Sequence, residues 1–542
     1  MGQCQPVDLG PGSAARRWRS AWPFGIENAG PCLEHRRNPS LPFTCYQPCR
    51  IVEATLSPQD RLCGHRDLIV ASPCRTTINH WVLRPTVFWS ALALITAALA
   101  LPGAAAAPAS SSPPNVIVIL TDDKGYGDLG VYGNPIIRTP VLDRMASEGL
   151  RFLDFYSAAS VCSPSRAGLL TGRYPLRSGV NVVLFPTSKG GLPPSEVTLA
   201  EVLGDAGYAT AHIGKWHLGI VEGTRPQDQG FGYTFGLPYS NDMDLRAGTP
   251  AAARYRANPP ADAWDVPLQR NGEIIERPAR QETLTQRYTD EAIGFIQANR
   301  SRPFFLYLAH TMPHTPLFAS PAFSGKSPRG PYGDVIAELD ASIGRILDTL
   351  RAEGLAENTL VVFTSDNGPW LTEREQGGSA GPLRGGKGTS WEGGQRVPAL
   401  MWLPGRIVPG VTNEVASSLD LFPTVLALAG LPHPDGLILD GNDLSPLLLE
   451  QKSLPERPFF FYRGREVFAA RAGPWKAHFV TQGGWGTGDN PREVLETPQL
   501  YHLLRDPSER FDRAGANPDE LARLRALLDT HRATIVPGKP QT

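Results

Sequence analysis

The stretch Asn115-Val116-Ile117-Val118-Ile119-Leu120-Thr121-Asp122-Asp123 decides the architecture. Its apolar, largely β-branched run has no polar alternation, so both of its faces must be covered. That is the signature of a strand deep in a mainly parallel sheet. The run ends on two carboxylates and then on the glycine-rich Lys124-Gly125-Tyr126-Gly127-Asp128. Open α/β sheets bind ligands just outside the carboxyl ends of their strands. Two adjacent aspartates in isolation also fit a solvated turn, so their meaning depends on what joins them.

The same layout recurs downstream. Residues 198–206 read as a helix and 209–213 as a strand, with the exit Gly214-Lys215-Trp216-His217-Leu218-Gly219. Residues 288–299 and 304–309 repeat the pair, and their exit carries His310 and His314. An amphipathic helix over 332–351, with Val335, Ile336, Leu339, Ile343, Ile346, Leu347 and Leu350 on one face, precedes a strand over 359–364. Its exit is Ser365-Asp366-Asn367-Gly368. Alternating helices and buried strands predict an α/β fold, a large mainly parallel or mixed sheet sandwiched by helices. Four exits supplying Asp, Lys, His and Asn predict one composite site.

Residues 239–280 lose the pattern and are expected to form loops over that site. The glycine-rich stretch 377–394 lacks the ending of a Walker motif, yet it lets Lys387 and backbone amides approach an anion closely. A strand over 397–403 and a helix over 417–429 follow. Beyond residue 440, short aromatic strands at 459–462, 467–470, 476–480 and 500–503, then a helix over 518–532, predict a small antiparallel sheet with a packed helix.

The 52 basic and 53 acidic side chains of the 542-residue chain give a formal net charge of −1. That balance argues against nucleic acid or an anionic membrane as partner, and any pull on an anion must be local. Residues 1–81 carry six of the seven cysteines (Cys4, Cys32, Cys45, Cys49, Cys63 and Cys74) without sustained periodicity. After them comes Arg84, an apolar run from Val87 to Leu101, and small residues through Ala107. Charged start, apolar core and small-residue end are the parts of an export signal, with a membrane anchor as the alternative. The expected organisation is therefore a non-native or disordered extension over 1–81, a signal over 82–107 and a linker over 108–114. A catalytic domain over 115–439 and a C-terminal α+β subdomain over 440–542 complete it. Export implies a periplasmic or secreted protein.

The remaining cysteine stands in Cys162-Ser163-Pro164-Ser165-Arg166-Ala167-Gly168-Leu169-Leu170-Thr171-Gly172-Arg173. With no second cysteine downstream of residue 74, it has no disulfide partner there. Pro164 suits a first helical turn. Arg166 and a helix N-terminus would place positive charge beside the sulfur. The pattern Cys-x-Pro-Ser-Arg-x-x-x-Leu-Thr-Gly-Arg, complete at all eight fixed positions, resembles the signature of type I, formylglycine-dependent sulfatases of the alkaline phosphatase superfamily. The stretches starting at Asp122, Gly214 and Ser365 resemble blocks of the same family, and the likeness runs over nearly all of residues 115–515. Within it, residues 375–388 resemble the N-acetylgalactosamine-6-sulfatase branch, whereas 174–193 resemble the arylsulfatase A branch.

The resemblance implies an alkaline-phosphatase-like fold and a sulfuric ester hydrolase acting on aryl or sugar sulfates. It implies that a formylglycine-generating enzyme converts Cys162 to an aldehyde whose hydrate is the nucleophile. Asp122, Asp123, Asp366, Asn367 and the converted Cys162 would hold a metal. Their oxygen-rich set suits a hard cation, Ca²⁺ or Mg²⁺, rather than zinc, and the resemblance implies Ca²⁺. By the same likeness Arg166 and Lys215 would hold the hydrate, and His217 and Lys387 the substrate sulfate. His314 would face the leaving group, Asp366 would take the proton of the attacking hydroxyl, and Ser240 would contact substrate. His310 is expected to be structural. Two rival readings are a phosphate or phosphonate ester hydrolase and a non-catalytic binder of sulfated glycans.

Overall fold

The computed structural model describes residues 112–250, 259–486 and 491–542. The expected extension and export signal, with most of the linker, lie outside the described residues. Sixteen strands are described. In chain order they are β1 (Asn115–Thr121), β2 (Leu150–Phe152), β3 (Phe155–Tyr156), β4 (Ala209–Lys215), β5 (Tyr233–Leu237), β6 (Leu268–Arg270), β7 (Glu273–Glu276) and β8 (Phe304–Ala309). There follow β9 (Thr359–Ser365), β10 (Ala399–Trp402), β11 (Gly410–Thr412), β12 (Ala416–Ser417), β13 (Pro458–Arg463), β14 (Glu466–Ala472), β15 (Trp475–Thr481) and β16 (Glu493–His502).

Ten of them form one mixed sheet in the order β11-β2-β10-β9-β1-β8-β4-β5-β6-β7. The five central strands, β9 to β5 in that order, are parallel, so their carboxyl ends share one edge. β1 lies in the middle, and all seven of its residues are buried. Its alternate side chains feed two separate cores. Ile117 and Ile119 pack with Tyr288 and Ile296 of the helix Leu284–Ala298 and with Leu339 and Ile343 of the helix Pro331–Ala352. Val116, Val118 and Leu120 pack with Leu169 of the helix Cys162–Thr171, Leu203 of Leu199–Asp205 and Phe422 of Leu421–Ala429. Each such side chain stabilises the fold by about 1.5–3 kcal/mol. The continuous apolar run is thus the consequence of helices on both faces.

Two expectations need correction. Residues 239–280 are not only loops: β6 and β7 form a hairpin that extends the sheet. Arg270 pairs with Glu273 across Asn271-Gly272, and both turn residues have positive φ (49° and 86°). That is the two-residue turn whose twist suits a hairpin. Second, the strand over 397–403 is confined to β10, Ala399–Trp402; it runs antiparallel to both β9 and β2, in keeping with the mixed form of the sheet.

The C-terminal strands β13-β14-β15-β16 make a separate antiparallel sheet. Leu524 and Leu528 of the helix Pro518–Thr534 cover it, and Tyr156, Ala158, Tyr174 and Leu419 join the same apolar cluster. The small sheet therefore shares a core with the layer that carries Cys162.

Candidate active site

Cys162 is the first residue of its helix, following an extended Val161. Its thiol points at Asp122 Oδ1, 3.7 Å away. Burial pushes this thiol up to about 12, against the opposing pull of Lys215 and Lys387. As a cysteine it is protonated and a poor nucleophile at neutral pH.

Asp122 and Asp123 follow β1, with Asp123 in a left-handed backbone, φ +62°, and oxygens of the two carboxylates converge to within 4.8 Å of one another. His217, two residues past β4, does the same at +62°. Such conformations cost about 1–3 kcal/mol each and gather at functional sites. Asp122 Oδ2 pairs with Lys215 Nζ and lies 3.3 Å from Arg166 Nη2. Burial would raise this carboxyl, but Lys215, His314 and Arg166 together hold it well below the usual range. Asp123 Oδ2 accepts from Lys387 Nζ at 2.8 Å, and Asp123 Oδ1 accepts from Asn367 Nδ2 at 2.7 Å.

Asp366, at the exit of β9, receives both Nε and Nη2 of Arg166 on Oδ2, at 3.0 and 2.9 Å. Its Oδ1 accepts from the backbone N–H of Asp123 at 3.2 Å. Burial, then repulsion from Asp122, pushes Asp366 up to about 7 in spite of Arg166. These acids are crowded by one another's charge, and Asn367 Oδ1 is buried with no partner. An unsatisfied amide oxygen among three carboxylates is a donor set suited to a hard cation. Ligand atoms of Asp122, Asp123, Cys162 and His314 all lie within 4.8 Å of one another, so the residues present fit a metal.

His314 Nδ1 is 2.6 Å from the Thr315 carbonyl. Because a carbonyl only accepts, Nδ1 carries the proton and Nε2, 3.5 Å from Asp123 Oδ2, is the titrating atom. Burial and then Lys387 hold His314 below its ordinary value. His217 Nε2 donates to the Leu184 carbonyl at 2.8 Å by the same logic, leaving its buried Nδ1 without a partner. Lys215 Nζ also donates to Ser240 Oγ at 3.1 Å. Both ring nitrogens of His310 are buried without partners, and burial drops it to about 3. It is a core residue.

All the expected site residues are buried, and all but His217 are joined by the contacts above. His217 feels the charges of Lys215, Arg166 and Asp122 without a hydrogen bond to them, and burial, then Lys215, holds it well below its ordinary value. One neighbour was not singled out from the sequence: Trp370 lies under Lys387, with Nζ 4.3 Å from the ring centroid, and 5.4 Å from the His314 ring. Its position three residues after Asn367, inside the β9 exit, was the available signal. Leu184 was also missed, because it acts through its backbone: its N–H donates to Ser163 Oγ at 3.1 Å while its carbonyl fixes His217.

Residues 114–431 match the family model described as Sulfatase. The chain belongs to the sulfatase family. A second model, the C-terminal region of aryl-sulfatase, matches residues 454–542. This sulfatase is 45% identical over 462 residues to arylsulfatase A of Homo sapiens, covering 79% of this chain and 89% of that one. It is 42% identical over 498 residues to N-acetylgalactosamine-6-sulfatase of Sus scrofa, covering 84% and 91%. Among solved structures, the PsFucS1 sulfatase from Pseudoalteromonas sp. superimposes with a TM-score of 0.70 at 30% identity, covering 84% of this chain and 95% of that one. The expected alkaline-phosphatase-like layers and the separate C-terminal sheet are those of the family. The protein is accordingly an enzyme that hydrolyses sulfate esters. Among the described residues no helix is long and apolar enough to cross a membrane.

Proposed function

We propose that this sulfatase releases inorganic sulfate from aryl or sugar sulfate esters with a nucleophile made from Cys162, and that it works outside the cytoplasm after export. The observation that carries the reading is the placement of Cys162 at a buried helix start, 3.7 Å from Asp122. As a thiol it is protonated there, so it needs conversion to act. Formylglycine at this position, hydrated, would supply a hydroxyl for attack on sulfur and a second one for release of sulfate. Asp122, Asp123, Asp366 and Asn367 would hold Ca²⁺ or Mg²⁺, which supplies charge stabilisation for the sulfate oxygens.

The chain's own groups do the rest. Arg166 and Lys215 hold the nucleophile's oxygens and keep the acids from repelling one another. Asp366, with its Oδ2 held by the fork of Arg166, takes the proton of the attacking hydroxyl. Lys387 and His217 receive the sulfate, and Ser240 steers Lys215. Trp370 shields Lys387 from water, which strengthens its pull on an anion. His314 presents Nε2 as the proton donor to the leaving oxygen, with Nδ1 anchored on Thr315.

The test is a mass spectrum of the tryptic peptide Phe152–Arg166 from protein made with a formylglycine-generating enzyme, paired with sulfate release from an aryl sulfate and phosphate release from the matching aryl phosphate. The expected result is an aldehyde in place of the thiol and a preference for sulfate. An alkylatable thiol in fully active enzyme would overturn the role of Cys162, and a strong preference for phosphate would overturn the substrate class.

A further inference from the structure

Beside the nucleophile-bearing helix is a cavity of about 280 Å³. One wall is Val161, Pro164 and Gly388; the facing wall comes from the C-terminal sheet and its connections, with Arg463, Gln482 and Trp485. The first wall comes from the two segments that carry site residues. Val161 precedes Cys162, Pro164 lies two residues after it, and Gly388 follows Lys387. The second wall is tied to the same place: the backbone N–H of Trp485 donates to the Lys387 carbonyl at 2.9 Å. The cavity is therefore built on the two segments that carry Cys162 and Lys387, although neither side chain lines it.

The walls define the kind of group. Trp485 with the buried Tyr462 and Phe468 offers apolar ring surface, and Gln482 and Arg463 offer planar donors. Ring faces beside forked hydrogen-bond donors suit a sugar, whose C–H face is apolar and whose rim is hydroxyl. The volume sits just under the roughly 300 Å³ at which drug-sized pockets begin, so it holds one ring rather than a chain.

Charge narrows the class further. Of the two arginines at this cavity, Arg492 is committed, bonding Glu466 through Nε and Nη2 at 2.7 and 2.6 Å. Arg463 is partly buried, and its hydrogen bond goes to a backbone carbonyl, that of Gly483. Among the described residues no carboxylate pairs with it, whereas the buried Arg166, Arg396 and Arg471 each have one. Burial without a counter-charge lowers its guanidinium from the ordinary value. A cation held this way is short of an anion.

We propose that this cavity is a second sugar subsite, which takes the unit next to the sulfated one, and that Arg463 binds a carboxylate or second sulfate carried by that unit. The proposal rests on the sulfatase reading above and adds to it a substrate class: anionic oligosaccharides are preferred to isolated sulfate esters. The C-terminal sheet then acts in selecting substrate as well as in closing the core.

The test compares KM for sulfate release from four substrates: an aryl sulfate, a monosulfated hexosamine, that hexosamine linked to a neutral hexose, and the same hexosamine linked to a uronate or to a sulfated hexose. An Arg bond to a charged group contributes roughly 1.5–3 kcal/mol, so an anionic neighbour should lower KM by about 10–100-fold relative to the neutral disaccharide. Whichever of the uronate and the second sulfate shows the gain identifies the anion. In Arg463→Ala, and in Arg463→Gln should the first fold poorly, the ratio of KM between neutral and anionic disaccharides should collapse toward one. Arg463→Lys should keep part of it. Equal KM for neutral and anionic disaccharides in the wild type, or an undiminished ratio in folded Arg463→Gln, overturns the subsite. Turnover of aryl sulfate with no anion preference sinks the subsite alone; no turnover of any sulfate ester sinks the proposed function with it.

Discussion

Arg166 and Asp366 form a two-pronged ion pair on a single carboxylate oxygen, with Nε at 3.0 Å and Nη2 at 2.9 Å, and neither side chain is exposed. The third arm of the guanidinium, Nη1, donates to the Lys215 carbonyl at 2.7 Å. One side chain thereby ties the exits of β4 and β9 to the nucleophile's helix. Lysine keeps the charge but cannot reproduce that fork. Arg166→Lys should lower kcat on an aryl sulfate by roughly 10²–10³, the size of losing one preorganised donor, with KM changed much less. Arg166→Ala leaves two buried acids facing each other and should also lose about 3–5 kcal/mol of stability in urea unfolding. Wild-type kcat in Arg166→Lys would count against the role given to the fork.

Ion removal makes a second case. The unpartnered Asn367 Oδ1 and the crowded Asp122, Asp123 and Asp366 gain from a divalent cation, and the unfolded chain has no such site. Dialysis against a chelator should abolish turnover and lower the unfolding temperature. Adding back Ca²⁺ or Mg²⁺ at a hundredfold excess over its Kd should return about 2.7 kcal/mol. Asn367→Ala should shift the required ion concentration upward. A melting temperature indifferent to both chelator and ion would show that the acids hold no metal.

Much of this was legible in the chain because it is local. The apolar run of β1 and the polar exits of β1, β4, β8 and β9 are each contiguous in sequence, and parallel pairing then brings the exits to one edge. The β6–β7 hairpin escaped although Asn271-Gly272 marks its turn, since Glu273-Ile274-Ile275-Glu276 leaves both isoleucines exposed and shows no apolar face. The direction of β10 was unreadable, because four buried residues look alike in either orientation. Pairs such as Lys476–Glu392, 84 positions apart, carry no local pattern at all.

The tautomer of His314 predicts how leaving groups are treated. With Nδ1–H fixed on the Thr315 carbonyl, Nε2 can deliver a proton only when the ring is charged, and burial with Lys387 holds its pKa below 6.5. A sugar alkoxide needs that proton and a nitrophenolate does not. His314→Gln should therefore cost roughly 10²–10⁴ in kcat for sugar sulfates and under about tenfold for 4-nitrophenyl sulfate. In the wild type, sugar-sulfate turnover should fall as pH rises through the depressed value, while the nitrophenyl ester loses this limb. Equal losses on both substrates would remove His314 from proton transfer.

A buried charge network ties the C-terminal sheet to the loop that follows Lys387. Lys476 Nζ, fully buried on β15, donates to Glu392 Oε1 at 2.9 Å and lies 3.1 Å from Glu509 Oε1, while Tyr156 donates to Glu392 Oε2 at 2.6 Å. Burial alone would raise Glu392, but Lys476, Arg396 and Arg471 outweigh it and bring the carboxyl down to about 2 from its ordinary 4.5. A depressed acid stabilises the fold above its unfolded value and loses that contribution as pH falls toward the folded one. Glu392→Gln should thus cost about 3 kcal/mol in urea unfolding at pH 7. The gap to wild type should stay constant down to about pH 4.5 and close between there and about pH 2. Because Glu392 starts the short helix that follows the Lys387 loop, the variant should also raise KM for sulfate esters at pH 7. A stability gap that persists unchanged at pH 3 would place the loss in packing rather than in charge.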